Sequence, residues 1–221
     1  CSNFFNYFFI YLKSFILNRK ESIRVRKIPA RVQKKYRSFK VDEEKGDKMR
    51  THCQTIDTRW GSDNHPHYSH GNTLPYTGVP FGMNYFLPQT THEQGAWFFN
   101  PNLPIFQGFR LTHQPSPWIG DYAWCLITPI TGEVASSDLF RRQSSYSMKE
   151  AVFQPHYLRI FSERYQIQSE RVPSCYGAVM RFRAPEKLTL CFHAAKEPED
   201  LSHTDQTCHF HILDQAHTAD T

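Results

Sequence analysis

The stretch "HYLRIFSERYQIQSERVPSCYGAVMRFRAPEKLTLCFHA", residues 156–194, decides the fold class. Short runs in it alternate between apolar and polar side chains or stay apolar, and brief polar connectors separate them. Strands are predicted at 156–162, 165–172, 177–184 and 187–194, with a fifth at 208–214. Strands joined by such short connectors favour an antiparallel meander. The sequence therefore predicts an all-β protein built as an antiparallel β-sandwich.

The chain before this stretch shows little helical periodicity. Residues 51–80 are rich in turn-forming residues, and "GMNYFLPQT" (82–90) and "DYAWCLITPI" (121–130) are short apolar runs bounded by Pro and Gly. Such runs fit further strands of the same sandwich. The prediction is one β-sandwich domain over residues 49–221.

The first 48 residues differ from the rest in composition. Residues 1–50 contain 14 Lys+Arg and 5 Asp+Glu, a net charge of +9, whereas the other residues contain 12 and 16, a net charge of −4. We expect residues 1–48 to be a non-native or disordered leader, with the native start at Met49; a tail that binds a membrane surface or nucleic acid is the alternative. The acidic remainder gives no reason to expect a nucleic-acid partner.

The apolar opening "CSNFFNYFFIYLKSFILNRK" is interrupted by Lys13 and is short for a bilayer span. It also lacks the basic region and the small-residue cleavage site of a signal peptide. We therefore expect no membrane partner and a cytoplasmic location, or a secreted or periplasmic one if the native start is misplaced. None of the six cysteines forms a C-x-x-C pair, so free thiols are expected.

Histidines offer the main alternative chemistry. His65, His67 and His70 lie close together in "SDNHPHYSHGN", but their spacing matches no standard zinc motif. His209 and His211 are two apart on a predicted strand and share a face, yet no third ligand is visible. We interpret the first group as part of a polar loop and the second as a solvent-facing pair, and predict no metal ligands in this chain.

Two irregular segments carry the groups best suited to binding. "GNTLPYTGVPFGM" (71–83) combines three glycines with two prolines, and "GFRLTHQPSPWIGDYAW" (108–124) places Arg110, His113, Gln114 and Asp121 around Trp118. An indole ring face covers the C–H patch of a sugar ring, and planar polar side chains bond its hydroxyls. The alternative is a Trp–Pro packing corner in which Asp121 caps a turn.

These two segments, in this order, resemble the start of glycoside hydrolase family 92. The family pattern looks like G-N-T-x-P-x-x-x-x-P-F-G-M, then G-F-x-x-T-H, then a D-Y-rich strand that ends in P-x-T-G. The resemblance runs from about Asp57 to the end of the chain. Residues Pro115–Trp118 depart from it, because many members have a Gly/Ser-rich loop there. The matching residues are Gly71-Asn72-Thr73, Pro80-Phe81-Gly82-Met83, Gly108-Phe109, Thr112-His113, Asp121-Tyr122 and Pro129-Ile130-Thr131-Gly132.

The resemblance implies a bacterial, calcium-dependent, inverting exo-α-mannosidase of two domains, an N-terminal β-sandwich and an (α/α)6 barrel. The general acid, the general base and the calcium ligands would then belong to the barrel, which this chain lacks, so no catalytic residue is predicted here. The resemblance thus implies that the domain over residues 49–221 is truncated at its C-terminal side. The loops of the sandwich would form one wall of the pocket for the terminal mannose of a glycan. The predicted substrate-binding residues are Trp60, Gly61, Asn72, Thr73, Arg110, His113, Gln114, Trp118 and Asp121.

Two other functions stay open on the sequence alone. A stand-alone carbohydrate-binding β-sandwich would bind mannose without hydrolysing it, and a structural module would respond to no sugar. The hydrolase interpretation predicts an inactive chain with an exposed apolar face where the barrel would dock. The linkage preference and the oligomeric state do not follow from these residues.

Overall fold

A computed structural model describes residues 6–13, 23–25, 52–63, 73–91, 98–116, 122–123, 125–132, 136–194, 200–203 and 208–211. Its two described helices, α1 (His52–Thr55) and α2 (Leu139–Arg142), are each four residues long. No described helix is long and apolar enough to cross a membrane. The strands are β1 (Asn6–Lys13), β2 (Ile23–Val25), β3 (Tyr85–Gln89), β4 (Ile105–Phe106), β5 (Gly108–Thr112), β6 (Cys125–Thr131), β7 (Ser144–Ser145), β8 (Val152–Gln154), β9 (Tyr157–Ser162), β10 (Ile167–Ser174), β11 (Gly177–Ala184), β12 (Leu188–Ala194), β13 (Asp200–His203) and β14 (Cys208–His211).

Two sheets make up most of this architecture. The larger has six strands in the order β2-β1-β11-β10-β9-β8, and the smaller has four in the order β12-β6-β5-β3. Two short pairs, β4 with β7 and β13 with β14, complete the described strands. The paired strands of both sheets run antiparallel. The predicted all-β sandwich is confirmed.

The meander predicted over 156–194 divides between the sheets. β9, β10 and β11 are consecutive neighbours in the larger sheet, as the short turns between them require. After β11 the chain crosses to the smaller sheet, where β12 pairs with β6. The crossing lets the two sheets face each other across one core.

Alternating burial explains why these segments form strands. Along β9, Leu158, Ile160 and Ser162 are buried whereas the residues between them are half-buried. Side chains that alternate in this way place every second residue in the core. The core contains aromatic side chains from both sheets, with the ring centres of Phe109 and Phe182 6.5 Å apart. Burial of such large apolar groups supplies the main driving force for folding.

Gly108, the first residue of β5, allows β5 and β6 to approach closely. Its φ of +144° is in the region that favours glycine, and a Cβ there would lie 2.6 Å from the carbonyl oxygen of Ile127. This oxygen belongs to the backbone and cannot move aside without disturbing the sheet. The absence of a side chain at residue 108 is therefore a structural requirement.

β1 and β2 come from the segment that we expected to be a non-native or disordered leader. β1 pairs with β11 over Asn6–Lys13, and β2 pairs with β1. The boundary between leader and domain at Met49 stays a prediction.

Candidate functional site

The two segments singled out in the sequence meet in the structure. The hydroxyl of Tyr76, in the first segment, donates to the carbonyl oxygen of Pro115, in the second, at 2.8 Å. Tyr76 also hydrogen-bonds the side chain of Tyr122 and packs edge-on against Tyr85 at 5.8 Å. Burial and the neighbouring Tyr122 raise the pKa of Tyr76, so its hydroxyl stays protonated. Tyr76 therefore joins the two segments on one side of the sandwich.

Arg110 lies beneath these segments on the face of the smaller sheet opposite Phe109 and Leu111, because neighbouring residues of a strand point to opposite faces. Its Nε and Nη2 donate to Oε1 of Gln89 at 2.9 and 2.6 Å, and its Nη1 donates to the carbonyl oxygen of Ala123 at 3.2 Å. Only 5% of Arg110 is exposed. The guanidinium thus holds β3, β5 and the chain entering β6 together.

Aromatic rings enclose the same guanidinium. Its Cζ lies 4.4 Å from the centre of the Phe98 ring, which stacks on Tyr122 with centres 6.0 Å apart. Burial lowers the pKa of Arg110 to about 10, while Tyr122 and Cys125 oppose the shift. Ala123, whose carbonyl oxygen accepts from Arg110, has a φ of +56°, a backbone conformation that non-glycine residues seldom adopt. Arg110 thus stabilises an irregular backbone at the entry to β6.

A row of glutamines extends this polar network along the sheet. Nε2 of Gln89 donates to Oε1 of Gln107 at 2.9 Å, and Nε2 of Gln107 donates to Oε1 of Gln143 at 3.2 Å. Gln89 and Gln107 are buried. Buried amides are stable only when they are hydrogen-bonded, so these bonds fix the side chains in one arrangement.

The turn at Trp60 and Gly61 reaches the start of the first segment. Gly61 has a φ of +79°, and a Cβ on it would lie 3.3 Å from Oγ1 of Thr73. The turn is supported by Asp57, whose carboxylate accepts from Nε of Arg59 at 3.0 Å and from its Nη2 at 2.6 Å. Trp60 is 69% exposed. An indole ring is therefore accessible on a turn that touches Thr73.

The end of the first segment carries an unusual aromatic residue. Phe81 is 99% exposed and has a φ of +58°. The backbone around it is anchored, because the N–H of Met83 donates to the carbonyl oxygen of Cys175 at 2.7 Å and Asn84 donates to that of Tyr176 at 3.1 Å. An apolar ring thus projects from a turn that the rest of the protein fixes in place.

The structure brings together some of the predicted substrate-binding residues. Gly61 and Thr73 are adjacent, and Arg110 lies under the loop that follows β5. His113 in this loop is buried, and Gln114 is half-buried, with its carbonyl oxygen accepting from the Thr112 hydroxyl at 2.5 Å. Asn72, Trp118 and Asp121 lie outside the described residues. The role of each of these residues in sugar binding stays a prediction.

Four residues of this network were not among the predicted substrate-binding residues, namely Tyr76, Gln89, Phe98 and Tyr122. The position of Gln89 could have been recognised from the sequence. It ends an apolar run that forms a strand, and a buried polar residue there needs a hydrogen-bond partner. The role of Phe98 could not have been recognised from the sequence, because its contact with Arg110 depends on the path of a connecting segment.

No group of three or more His, Cys, Asp or Glu residues suited to a metal ion occurs among the described residues. His65, His67 and His70 lie outside them, and His209 and His211 belong to β14. Asp57 is engaged by Arg59, and Glu170 accepts from the hydroxyl of Tyr157 at 2.7 Å and Nε of Arg181 at 2.5 Å. These two carboxylates do not fit calcium, which needs several free oxygen ligands.

The chain is similar to solved structures of two mannosidases. An inverting mannosidase of family GH92 from Bacteroides thetaiotaomicron VPI-5482 is 31% identical, with a TM-score of 0.53 over 62% of this chain and 18% of that chain. A GH92 α-mannosidase from Bacteroides thetaiotaomicron is 23% identical, with a TM-score of 0.48 over 57% of this chain and 18% of that one. The chain thus spans about a fifth of each of these structures. No curated protein sequence matches it.

The family assignment rests on the length of the sequence match. The glycosyl hydrolase family 92 N-terminal domain matches residues 55–217, which is more than half of the chain. That range contains both irregular segments and all of β3–β14, and leaves out β1 and β2 of the larger sheet. The chain therefore belongs to glycoside hydrolase family 92, and the part it contains is the family's N-terminal β-sandwich domain.

Proposed function

We propose that this chain is the N-terminal part of an inverting exo-α-mannosidase and supplies one wall of the pocket for a terminal α-linked mannose. The wall consists of the turn at Trp60, the segment from Asn72 to Met83 and the loop that follows β5. The catalytic carboxylates and the calcium ion belong to a second, barrel-shaped domain. The chain alone binds mannose weakly and does not hydrolyse mannosides.

One observation carries this proposal, the hydrogen bond from Tyr76 to Pro115 that joins the two segments. Outside β5, the described residues of these segments belong to no helix or strand, yet polar and aromatic contacts such as those of Tyr76 hold them in one arrangement. Preorganised loops on a rigid sheet are a common basis for binding sites, since little ordering is needed when the ligand arrives.

Exposed aromatic side chains support docking of a second domain. Trp60 and Phe81 project from segments of the proposed wall, and Met83 and Tyr176 are exposed close to Phe81. Exposed apolar groups that lie together mark interaction surfaces, whereas isolated ones such as Phe140 do not. We propose that Phe81 packs against the second domain while Trp60 faces the sugar.

The described carboxylates with shifted pKa values are unsuited to acid catalysis. An inverting glycosidase needs a carboxylic acid with a raised pKa to protonate the leaving oxygen and a carboxylate to activate water. Burial would raise the pKa values of Asp57 and Glu170, but hydrogen bonds from Arg59, and from Arg181 and Tyr157, outweigh it and lower both. Both groups stay ionised at neutral pH, which supports placing the acid in the other domain.

The test compares the 221-residue chain with the product of the full open reading frame that contains it, which the proposal requires to include the barrel domain. We expect calcium-dependent hydrolysis of a 4-nitrophenyl α-mannoside by the longer protein only. The mannose released should have the β configuration, because the reaction inverts the anomeric centre. In that protein Trp60→Ala should raise KM at least tenfold, because stacking on the sugar is lost. Phe140→Ala, at an exposed aromatic residue outside the wall, is the matched control.

Three outcomes distinguish the candidate functions. Hydrolysis by the 221-residue chain alone would contradict the assignment of catalysis to another domain. Micromolar mannose binding by that chain without hydrolysis would favour the stand-alone carbohydrate-binding module. A longer protein that is active but indifferent to Trp60→Ala would remove the turn from the pocket wall.

A further inference from the structure

A cleft of about 550 Å³ lies at the opposite end of the smaller sheet from the loops of the proposed wall. It lies where β6 ends at Thr131, whereas those loops lie where β6 begins at Cys125. Six residue steps along a strand separate the two ends by roughly 20 Å, at about 3.3 Å for each residue. The cleft is therefore a separate feature of the sandwich.

Its lining is basic and polar. Arg141, Arg142 and Arg164 line it together with Thr131, Ser136 and Tyr165. Among the described residues that line it, none is acidic. Because residues 51–221 carry a net charge of −4, three arginines around one cleft are a local concentration and do not reflect a basic domain.

Hydrogen bonds hold two of these arginines in position. Nη1 of Arg164 donates to the carbonyl oxygens of Arg141 at 2.6 Å and Gln143 at 3.3 Å. Nη2 of Arg142 donates to the carbonyl oxygen of Ser137 at 3.1 Å, and the backbone oxygen of Arg142 accepts from the hydroxyl of Tyr165 at 3.0 Å. The positive charges are therefore preorganised by backbone oxygens, which do not neutralise them.

The strongest indication of a ligand is the buried and incompletely hydrogen-bonded side chain of Arg142. It is only 7% exposed, and its Nε has no hydrogen-bond partner among the described residues. A buried guanidinium without an anionic partner is unfavourable, because burial removes its hydration. A small shift of this side chain toward a bound anion would satisfy that nitrogen.

The described carboxylates near the cleft compensate the three charges only in part. Oδ2 of Asp138 lies 3.7 Å from Nε of Arg141, at an exposed position. Glu163 accepts from the hydroxyl of Ser145 at 2.7 Å. Among the described residues, neither of these carboxylates contacts Arg142, whose Nε has no acidic partner there.

We propose that this cleft binds an oxyanion of the phosphate or sulfate class. Guanidinium groups match the oxygens of such anions through paired N–H donors, and the Thr131, Ser136 and Tyr165 side chains add polar groups at the edge. The volume exceeds that of a single phosphate, so the cleft has room for a free anion or for one carried on a small polar molecule. The site lies at the other end of the smaller sheet from the proposed mannose pocket.

The test measures binding of inorganic phosphate to the full 221-residue chain by isothermal titration calorimetry. We expect saturable binding of one ion that weakens as sodium chloride is raised, because salt screens the attraction. Arg141→Gln should weaken it about fivefold, which corresponds to losing one charge-assisted contact. Arg142→Lys should weaken it about tenfold, because a lysine cannot bind an oxyanion in the paired geometry.

Lys149→Gln is the matched control, since it removes one exposed positive charge away from the cleft and should change affinity less than about twofold. Arg141 is exposed, so its variant tests the site even if Arg142→Lys does not fold. Tighter binding of glucose 6-phosphate than of phosphate would indicate a carried anion, and equal binding a free one. Absence of saturable binding, or equal affinity in all variants, would overturn the proposal.

Discussion

Two buried arginines, which pack against opposite faces of the smaller sheet, differ in how completely their guanidinium groups are hydrogen-bonded. On one face, all three nitrogen groups of Arg110 donate to Gln89 or Ala123. On the other face, in the core between the sheets, Arg171 is 1% exposed and donates only from Nη2, to the carbonyl oxygen of Phe86 at 3.3 Å. Its Nε and Nη1 have no partner among the described residues.

The surroundings of the two side chains explain the contrast. Arg171 lies between aromatic rings, with its Cζ 4.7 Å from the centre of the Phe86 ring and 5.4 Å from that of Phe109. Burial lowers the pKa of Arg171 well below its usual range. Aromatic faces attract a cation but do not replace its lost hydrogen bonds. Arg110 therefore organises the proposed pocket wall, whereas the unpaired charge of Arg171 lowers the stability of the core.

The largest effect should come from removing the partner of Arg110. We expect Gln89→Leu to lower the free energy of unfolding by about 3 kcal/mol, because it leaves a buried guanidinium without its acceptor and also frees Gln107. Urea unfolding followed by tryptophan fluorescence measures this. Gln89→Glu keeps an acceptor of similar size and serves as the control. A loss below about 1 kcal/mol in Gln89→Leu would mean that the network contributes little.

Arg171→Met should have the opposite sign. We expect it to raise the free energy of unfolding by about 2 kcal/mol, because a flexible apolar side chain of similar length replaces an unpaired buried charge. Urea unfolding again measures the change, and Arg110→Met should be destabilising in the same assay. If Arg171→Met were destabilising too, contacts with the Phe86 and Phe109 rings would outweigh the burial of the charge.

The smallest effect concerns the pH dependence of a core tyrosine. Burial raises the pKa of Tyr146 to about 12, while Arg59 opposes the shift. Since the unfolded side chain titrates near pH 10, Tyr146 contributes stability that is fully present below pH 10 and is lost as the pH rises toward 12. At pH 10.5 the loss is under about 1 kcal/mol.

Comparison of wild type with Tyr146→Phe between pH 8 and pH 11 isolates this contribution. Both proteins keep Arg110, whose lowered pKa acts in the opposite direction because the unfolded state then binds more protons. The variant should lose less stability than wild type as the pH rises above 10. Parallel pH profiles would show that Tyr146 titrates normally.

The alternating pattern of the strands was enough to predict the sandwich. Leu158 and Ile160 alternate with half-buried residues as the period-two pattern requires, and β9, β10 and β11 pair where the sequence placed them. The crossing from β11 to β12 was not predictable in the same way, because a short connector allows either a hairpin or a change of sheet. Only packing against β6 distinguishes these alternatives.

The candidate site was predictable to a smaller extent. The order of the glycine-rich and tryptophan-containing segments indicated the family, and the structure brings these segments together through Tyr76. The burial of Arg110 was not predicted, because an arginine in the same segment as Trp118 is equally consistent with an exposed sugar-binding group. Its position depends on Gln89 and Phe98, which are distant in sequence and reach it only in the folded chain.

Gly108 has a consequence for the genetics of this protein. Every other amino acid brings a Cβ, which would lie 2.6 Å from the Ile127 oxygen and separate β5 from β6. We therefore expect every missense change in this codon to impair folding, whatever the chemical character of the new side chain. In a mutational library sorted for folded protein, codon 108 should retain glycine while exposed neighbours such as Pro115 accept many substitutions.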